Sequence, residues 1–282
     1  MRNRILETLI GFLALAALVP GQAEPLSVGV VNMRSPALTA AYWNPILQHV
    51  SMKSGVPLKL KLTTTGAEHA ALLSRGEFDI LVSYQALLNS DPALGYRVFA
   101  RNAEAATTGQ IVVMADSPAK TLADLQGQAV AFPGAAAFVP YQLPIDVLLR
   151  SGIQVKPMFA GSGEGAIGQL KAGRAAAAGV NSEVMRSFAK RENLAYRVLW
   201  SSGVFPSHPI SARPGLPSEK VDAIRDALLT MASDPQGAAV LAKIALIVGQ
   251  SPPLGFVAAR DADYVALRRI YMHARVQVEA PK

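Results

Sequence analysis

The sequence predicts an α/β protein with mixed, mostly parallel sheets flanked by helices, and three observations carry that prediction. Short β-like apolar runs alternate, from Leu26 onward, with segments whose apolar residues recur at helical spacing. Hydrophobic residues make up 51% of the 282 and charged residues 17%, which is apolar mass for a large core. Length then allows either one large domain or two lobes of about 100 to 150 residues, because single cores rarely grow beyond that scale. The same composition excludes long disorder and collagen-like repeats. Without cysteine there are no disulfides, thiolate metal ligands or thiol nucleophiles.

The N-terminus is set apart first. Arg2 and Arg4 precede an apolar stretch from Leu9 to Val19, interrupted at Gly11, and Gly21-Gln22-Ala23 supplies small residues before a cleavage point. This is the pattern of a signal peptide over residues 1–23. The stretch falls short of the ~20 residues of a membrane span, and an uncleaved anchor is the alternative reading. Export without disulfides points to a bacterial periplasm. The formal charge of +7 arises from basic residues scattered as singles and short pairs such as Lys190-Arg191 and Arg268-Arg269. That is a solvated surface, and no nucleic-acid partner is expected.

In order along the mature chain, Leu26 to Val31 reads as a strand, stopped by the loop Asn32-Met33-Arg34-Ser35-Pro36. Leu38, Tyr42, Ile46, Leu47 and Val50 then recur at helical spacing up to Gly55. Pro57–Leu62 is a second strand, Ala67–Leu73 a helix halted near Gly76, and Phe78–Val82 a third strand. After Gly109 the pattern repeats, with strands at Ile111–Met114 and Ala129–Phe132 around a short turn at Leu122–Leu125. Phe138–Leu149 reads as a helix weakened in its first half by Pro140 and Pro144. Val155–Phe159 is a strand and Gly165–Leu170 a helical segment. Ala175–Val180 fits strand or helix on propensity, with Gly173 and Gly179 favouring a short strand, and Leu194–Trp200 is another strand. Val204–Pro217 reads as a proline-rich crossing, and Ser218 as the N-cap of a helix with Val221, Ile224, Leu228, Leu229 and Met231 on its buried stripe. Gly237–Leu246 forms a further helix, and Tyr264, Leu267, Ile270 and Tyr271 a last helical face.

Four segments in this order, Trp43-Asn44-Pro45-Ile46-Leu47, Arg75-Gly76-Glu77-Phe78-Asp79-Ile80, Leu122 to Phe132, and Phe256-Val257 through Asp263-Tyr264, together resemble the phosphate/phosphonate-type periplasmic solute-binding proteins of ABC transporters. The resemblance implies the type II periplasmic binding protein fold, two α/β lobes joined by two hinge strands. Residues 24–107 and 208–282 would form one lobe and 108–207 the other, with crossings near 105–110 and 201–208. It also implies capture of a small polar or anionic solute by closure of the lobes, a permease or alternatively a membrane sensor as partner, a monomer, and no cofactor or metal.

Candidate ligand-binding residues follow from the loops at strand ends that the resemblance marks. They are Asn32 and Met33 after the first strand, and Ser83, Tyr84 and Gln85 after the third. Tyr84 would orient a solute with its hydroxyl and ring, or is a structural tyrosine. Gln85 would contact solute or cap the Ala86-Leu87-Leu88 turn. Gly134, Ala135, Ala136 and Ala137 stand where the family carries Ser and Thr hydroxyls, which leaves only backbone donors for a phosphonate-like group. Ser162 would touch solute or cap the next helix. Nearby, Glu164 would repel an oxyanion if it faced the cleft, or favour the helix N-terminus. Asn181 would offer a donor and an acceptor from a loop, or form a turn. Ser207 and His208 would border the cleft near the return hinge, or belong to a proline-bounded loop.

Enzyme readings find weak support, and an enzyme using the two-lobed scaffold is kept as an alternative to binding. The four histidines at 49, 69, 208 and 273 form no close metal-ligand pair, and neither a GxSxG elbow nor a GxxxxGK[ST] phosphate loop occurs.

Overall fold

The apolar runs assemble into two sheets. The computed structural model describes residues 24–88, 95–103, 106–251 and 254–273, so the leader expected over 1–23 lies outside the described residues. Along the chain come β1 (Leu26–Val30), α1 (Pro36–Ser54), β2 (Leu58–Lys61), α2 (Gly66–Ser74), β3 (Ile80–Val82), α3 (Gln85–Leu88) and β4 (Arg97–Asn102). Next are β5 (Gly109–Met114), β6 (Ala129–Phe132), α4 (Leu143–Arg150), β7 (Lys156–Phe159), α5 (Gly163–Lys171), β8 (Ala177–Asn181), α6 (Ser182–Glu192) and β9 (Tyr196–Ser201). The chain closes with β10 (Pro209–Ala212), α7 (Ser218–Leu229), α8 (Pro235–Val248), β11 (Phe256–Ala258) and α9 (Val265–His273).

The first sheet has the order β11-β4-β10-β3-β1-β2 and the second β7-β6-β8-β5-β9. Both are mixed. In the first, β1 pairs parallel with β2 and β3, while β10 and β11 pair antiparallel with their neighbours. In the second, β6 pairs parallel with β7 and β8, and β5 pairs antiparallel with β8 and β9. Most antiparallel strands adjoin the two places where the chain changes sheet, after Asn102 and after Ser201. There the two connections hold each other through reciprocal 2.8 Å bonds between the backbones of Thr107 and Phe205.

Helix α1 begins at Ser35, whose hydroxyl accepts the Leu38 N–H, and ends at Gly55 with φ of +70°, the left-handed turn that suits glycine. Its Tyr42, Trp43, Ile46 and Val50 pack with Ile224, Leu228, Ile244 and Val248 of α7 and α8 on one face of the first sheet. The other lobe buries Ile111, Val130, Phe132 and Leu148 on one side of its sheet, and Ile167, Val180, Met185 and Phe188 on the other.

Several local expectations change. Val204–Pro217 contains the fully buried strand β10, because Pro209 sits at the strand's first position, where its missing N–H is tolerated. Residues 97–102 form β4, whose terminal Arg97 and Asn102 hide an apolar centre from pattern reading. No loop follows β8, since Asn181 caps α6 directly. Pro217, not Ser218, is the N-cap of α7, and no side chain caps that end. Ile270 is exposed, while Tyr264 and Leu267 are buried. The prolines of the 138–149 segment do not break it but widen its first turn into a π-type turn over Phe138–Gln142, ahead of α4.

Candidate solute-binding site

The loops leaving β1, β3 and β6 meet the N-terminus of α6, which follows β8 directly, between the lobes. Val31, Asn32, Met33, Ser83, Tyr84 and Gln85 of the first lobe face Pro133, Ala136, Ala137, Phe138, Val139, Pro140, Gly163, Asn181 and Val184 of the second. With His208 they enclose a chamber of about 50 Å³. That exceeds the ~10–15 Å³ at which a cavity first holds a water, so the chamber suits a small, compact group. A larger cleft of about 580 Å³ adjoins it and shares Val31, Asn32, Gln85, Pro133, Ala136 and Ala137. Of the residues singled out by sequence, Asn32, Met33, Ser83, Tyr84, Gln85, Ala136, Ala137, Asn181 and His208 line the chamber, and Gly134 and Ala135 line the cleft. Ser162 and Ser207 line neither.

Several of these groups are already engaged. The Asn32 side chain donates to the Thr63 carbonyl at 2.8 Å and accepts from the Thr63 hydroxyl at 3.1 Å. Ser207 donates to the Asn102 carbonyl at 2.6 Å, and Ser162 caps α5 by accepting the Gly165 N–H at 3.0 Å. The Tyr84 hydroxyl donates to the Pro206 carbonyl, so its ring, rather than its hydroxyl as expected, is what it presents. Burial, with Tyr264 adding to it, raises the Tyr84 pKa well above the usual value, and the phenol stays protonated. Its ring lies 4.1 Å, centroid to centroid, from the imidazole of His208. Burial first, and the charge of Arg34 second, lower the His208 pKa to about 3, so that ring is neutral near pH 7.

Other groups remain unspent. Ser83 accepts the Gln85 N–H at 3.1 Å but donates to no described residue. Gln85 extends across the cleft instead of capping the following turn: its Nε2 donates to the Ala136 carbonyl at 3.4 Å, and its buried Oε1 has no partner. Asn181 Oδ1 accepts from the Thr107 hydroxyl at 2.8 Å and from the Glu183 N–H at 2.9 Å, while its Nδ2 has no acceptor among the described residues. The amides of Gly134, Ala135 and Ala136 likewise have none. Among the described residues, no carboxylate and no cation lines the chamber or the cleft.

Next to the chamber lies a cation that sequence reasoning missed. Arg34 is 6% exposed, its guanidinium sits 5.0 Å from the centre of the Tyr42 ring, and it pairs with no carboxylate among the described residues. Its position directly after Met33 was the available signal.

Around the chamber the lobes are drawn together. The first two amides of α5, Gly163 and Glu164, donate to the carbonyls of Asn32 and Met33 at 3.1 and 3.0 Å. A Cβ on Gly163 would stand 2.8 Å from the Met33 oxygen, so glycine is what permits this approach. The Glu164 carboxylate turns away from the chamber, accepting the Ser35 N–H at 3.3 Å and pairing with Arg191 at 2.9 Å. Met33 packs its side chain against the apolar cluster of the other lobe.

The model of the phosphonate periplasmic substrate-binding proteins of ABC transporters matches residues 28–264. The chain belongs to this family. Among solved structures, it is similar to a binding protein component of an ABC phosphonate transporter from Pseudomonas aeruginosa, with a TM-score of 0.75, 18% identity, and 87% of this chain and 85% of that chain covered. It is also similar to PhnD1 from Prochlorococcus marinus in complex with methylphosphonate, with a TM-score of 0.72, 16% identity, and 88% and 97% covered. A third, XAC2383 from Xanthomonas citri bound to chloride ion, gives a TM-score of 0.61, 19% identity, and 81% and 91% covered. No curated protein matches the chain. The family makes this a periplasmic solute-binding protein of an ABC-type system, a transport protein and not an enzyme, with a permease as partner and a small polar or anionic solute as cargo.

Proposed function

We propose that the solute is a compact, singly protonated oxyanion of the phosphonate class, held in the chamber between the lobes and released to the permease when they part. The observation that carries this reading is the set of unspent groups on a chamber of about 50 Å³ and on the adjoining cleft, with no carboxylate among the described lining residues. The Ser83 hydroxyl, Asn181 Nδ2 and the amides of Gly134 to Ala136 are donors for the solute oxygens. Gln85 Oε1 is an acceptor for the proton that a monoanionic phosphonate keeps. Backbone amides thus replace the hydroxyls missing at Ala135 to Ala137. The donors are neutral, and the positive potential of Arg34 favours an anion without a salt bridge to it. The Prochlorococcus relative in complex with methylphosphonate supports the same class.

The test is a thermal-shift screen of the mature protein against phosphate, phosphite, methylphosphonate, acetate, amino acids and polyols, with isothermal titration of each hit. One-to-one heat with methylphosphonate, together with a rise in melting temperature by mass action, is expected. Binding confined to amino acids or polyols overturns the reading.

A further inference from the structure

The chamber opens into a second compartment more than ten times its volume, and that compartment has a chemistry of its own. Its walls are Ala67, Ala70 and Ala71 of α2 on one side, and Ala135, Ala136 and Phe159 on the other. These residues are small or aromatic, and no charged side chain is among the lining residues. Phe159, at the end of β7, packs edge-on against Tyr141 at 5.2 Å and is still 51% exposed, so it offers apolar surface to the compartment it lines. Beneath the same compartment His69 is 1% exposed, is stacked on Phe78 at 5.1 Å, and has neither ring nitrogen bonded to a described residue. Burial lowers its pKa to about 4, so it contributes an uncharged donor and an uncharged acceptor.

We propose that this compartment is a subsite for an uncharged, mainly apolar organic substituent carried by the solute, so that the protein selects organophosphonates with alkyl or aryl groups over inorganic phosphate and over aminoalkyl phosphonates. The inference rests on the head-group reading above and adds the substituent to it. Continuity is the geometric argument. Six residues border both spaces, and Gln85 stands between them with its Nε2 on Ala136 and its Oε1 unsatisfied. A head group bonded to Gln85 therefore directs its substituent outward past Ala136 and Ala137. The compartment also rejects an ammonium group: with no carboxylate among its described lining residues, a charged amine there would lose hydration and gain no counter-ion. Two described carboxylates near the compartment are engaged: Glu164 is bound to Arg191 and the Ser35 amide, and Glu68 of α2 accepts from the Thr64 N–H and hydroxyl at 2.7 and 2.8 Å.

Isothermal titration with methyl-, propyl-, hexyl-, phenyl- and 2-aminoethylphosphonate, alongside inorganic phosphate, tests it. Affinity is expected to rise from methyl to hexyl by about three- to fourfold for each methylene removed from water, until the chain reaches open solvent. Phenylphosphonate should exceed methylphosphonate at least tenfold, and 2-aminoethylphosphonate should bind more weakly than propylphosphonate. In Ala70→Trp, an indole fills the outer compartment. It should abolish the chain-length gain and leave methylphosphonate affinity unchanged, and Ala67→Trp, at an exposed helix position, serves if the first variant folds poorly. Methylphosphonate binding with no gain from longer or aryl groups overturns the subsite and leaves the head-group reading standing. Preference for the aminoethyl compound overturns the subsite as well. Absence of heat with every phosphonate overturns the head-group reading and this one with it.

Discussion

Two loops of the second lobe sit at the C-terminal ends of neighbouring parallel strands, and their fates differ. Residues 133–137 after β6 keep the amides of Gly134, Ala135 and Ala136 free of partners among the described residues. Residues 160–164 after β7 give the amides of Gly163 and Glu164 to the first lobe, and the Ser162 hydroxyl to Gly165. One loop therefore lines the chamber and cleft with unspent amides, and the other fastens the lobes. The difference teaches that a helix N-terminus at a cleft is not automatically an anion site: where a glycine lets the opposing backbone approach, a carbonyl takes the place an oxyanion would occupy.

The comparison breaks most visibly at the first loop. Ala136→Asp sets a carboxylate in the chamber and should weaken binding of methylphosphonate by on the order of a thousandfold, given several kcal/mol for like charges held in contact. Titration that finds affinity preserved would show that the 133–137 loop is not the solute wall. At the second loop, Gly163→Val drives side-chain atoms into the Met33 carbonyl, 2.8 Å from even a Cβ. Affinity should fall about a hundredfold, because apparent affinity scales with the fraction of molecules able to close. Small-angle scattering should record a more open solution form, and a closed form with unchanged affinity would contradict the division of labour.

A pH series sharpens the comparison from the chamber side. His69 and His208 have folded pKa values near 4 and near 3 against an ordinary value of 6.5. Between pH 6.5 and those values the unfolded chain binds more protons, so stability falls as pH falls through that window, and above it stability no longer changes with pH on account of either group. Thermal melts from pH 7 to pH 4 should lose several degrees, and His208→Asn should flatten part of that slope. The smallest effect belongs to Ser162→Ala. Loss of the α5 cap should cost about 1 kcal/mol of unfolding free energy in a denaturant titration and change solute affinity less than about twofold. A tenfold loss of affinity would return Ser162 to the solute wall.

Much of this was legible in the chain. The strands before the site, β1, β3, β6 and β8, are apolar runs with turn residues at their ends, and the loops after the first three and the helix start after β8 supply residues that meet in the chamber. Others were hidden for local reasons. Strand β10 is short and begins with proline, so its burial comes from β3 and β4 on either side and not from its own pattern. Helix α6 carries a readable stripe in Val184, Met185 and Phe188, masked by the charged residues between them and by an Asn181-Ser182 start that also suits a turn. Arg34 was passed over because a basic residue in a loop is ordinarily solvated, and only the packing of Tyr42 beneath it and its lack of a carboxylate make it unusual.

The sequence by itself determined the α/β order, the places where strands end, and the substitution of alanines for hydroxyls at 135–137, because each depends on residues close together in the chain. Which polar groups are spent and which are free was decided only by the tertiary structure. The hydroxyl of Tyr84 finds the Pro206 carbonyl 122 residues away, and Glu164 finds the Ser35 amide across 129. A hydrogen bond removes a donor or acceptor from service wherever its partner lies in sequence, so the vacant groups that define a binding site become countable only after the lobes have met.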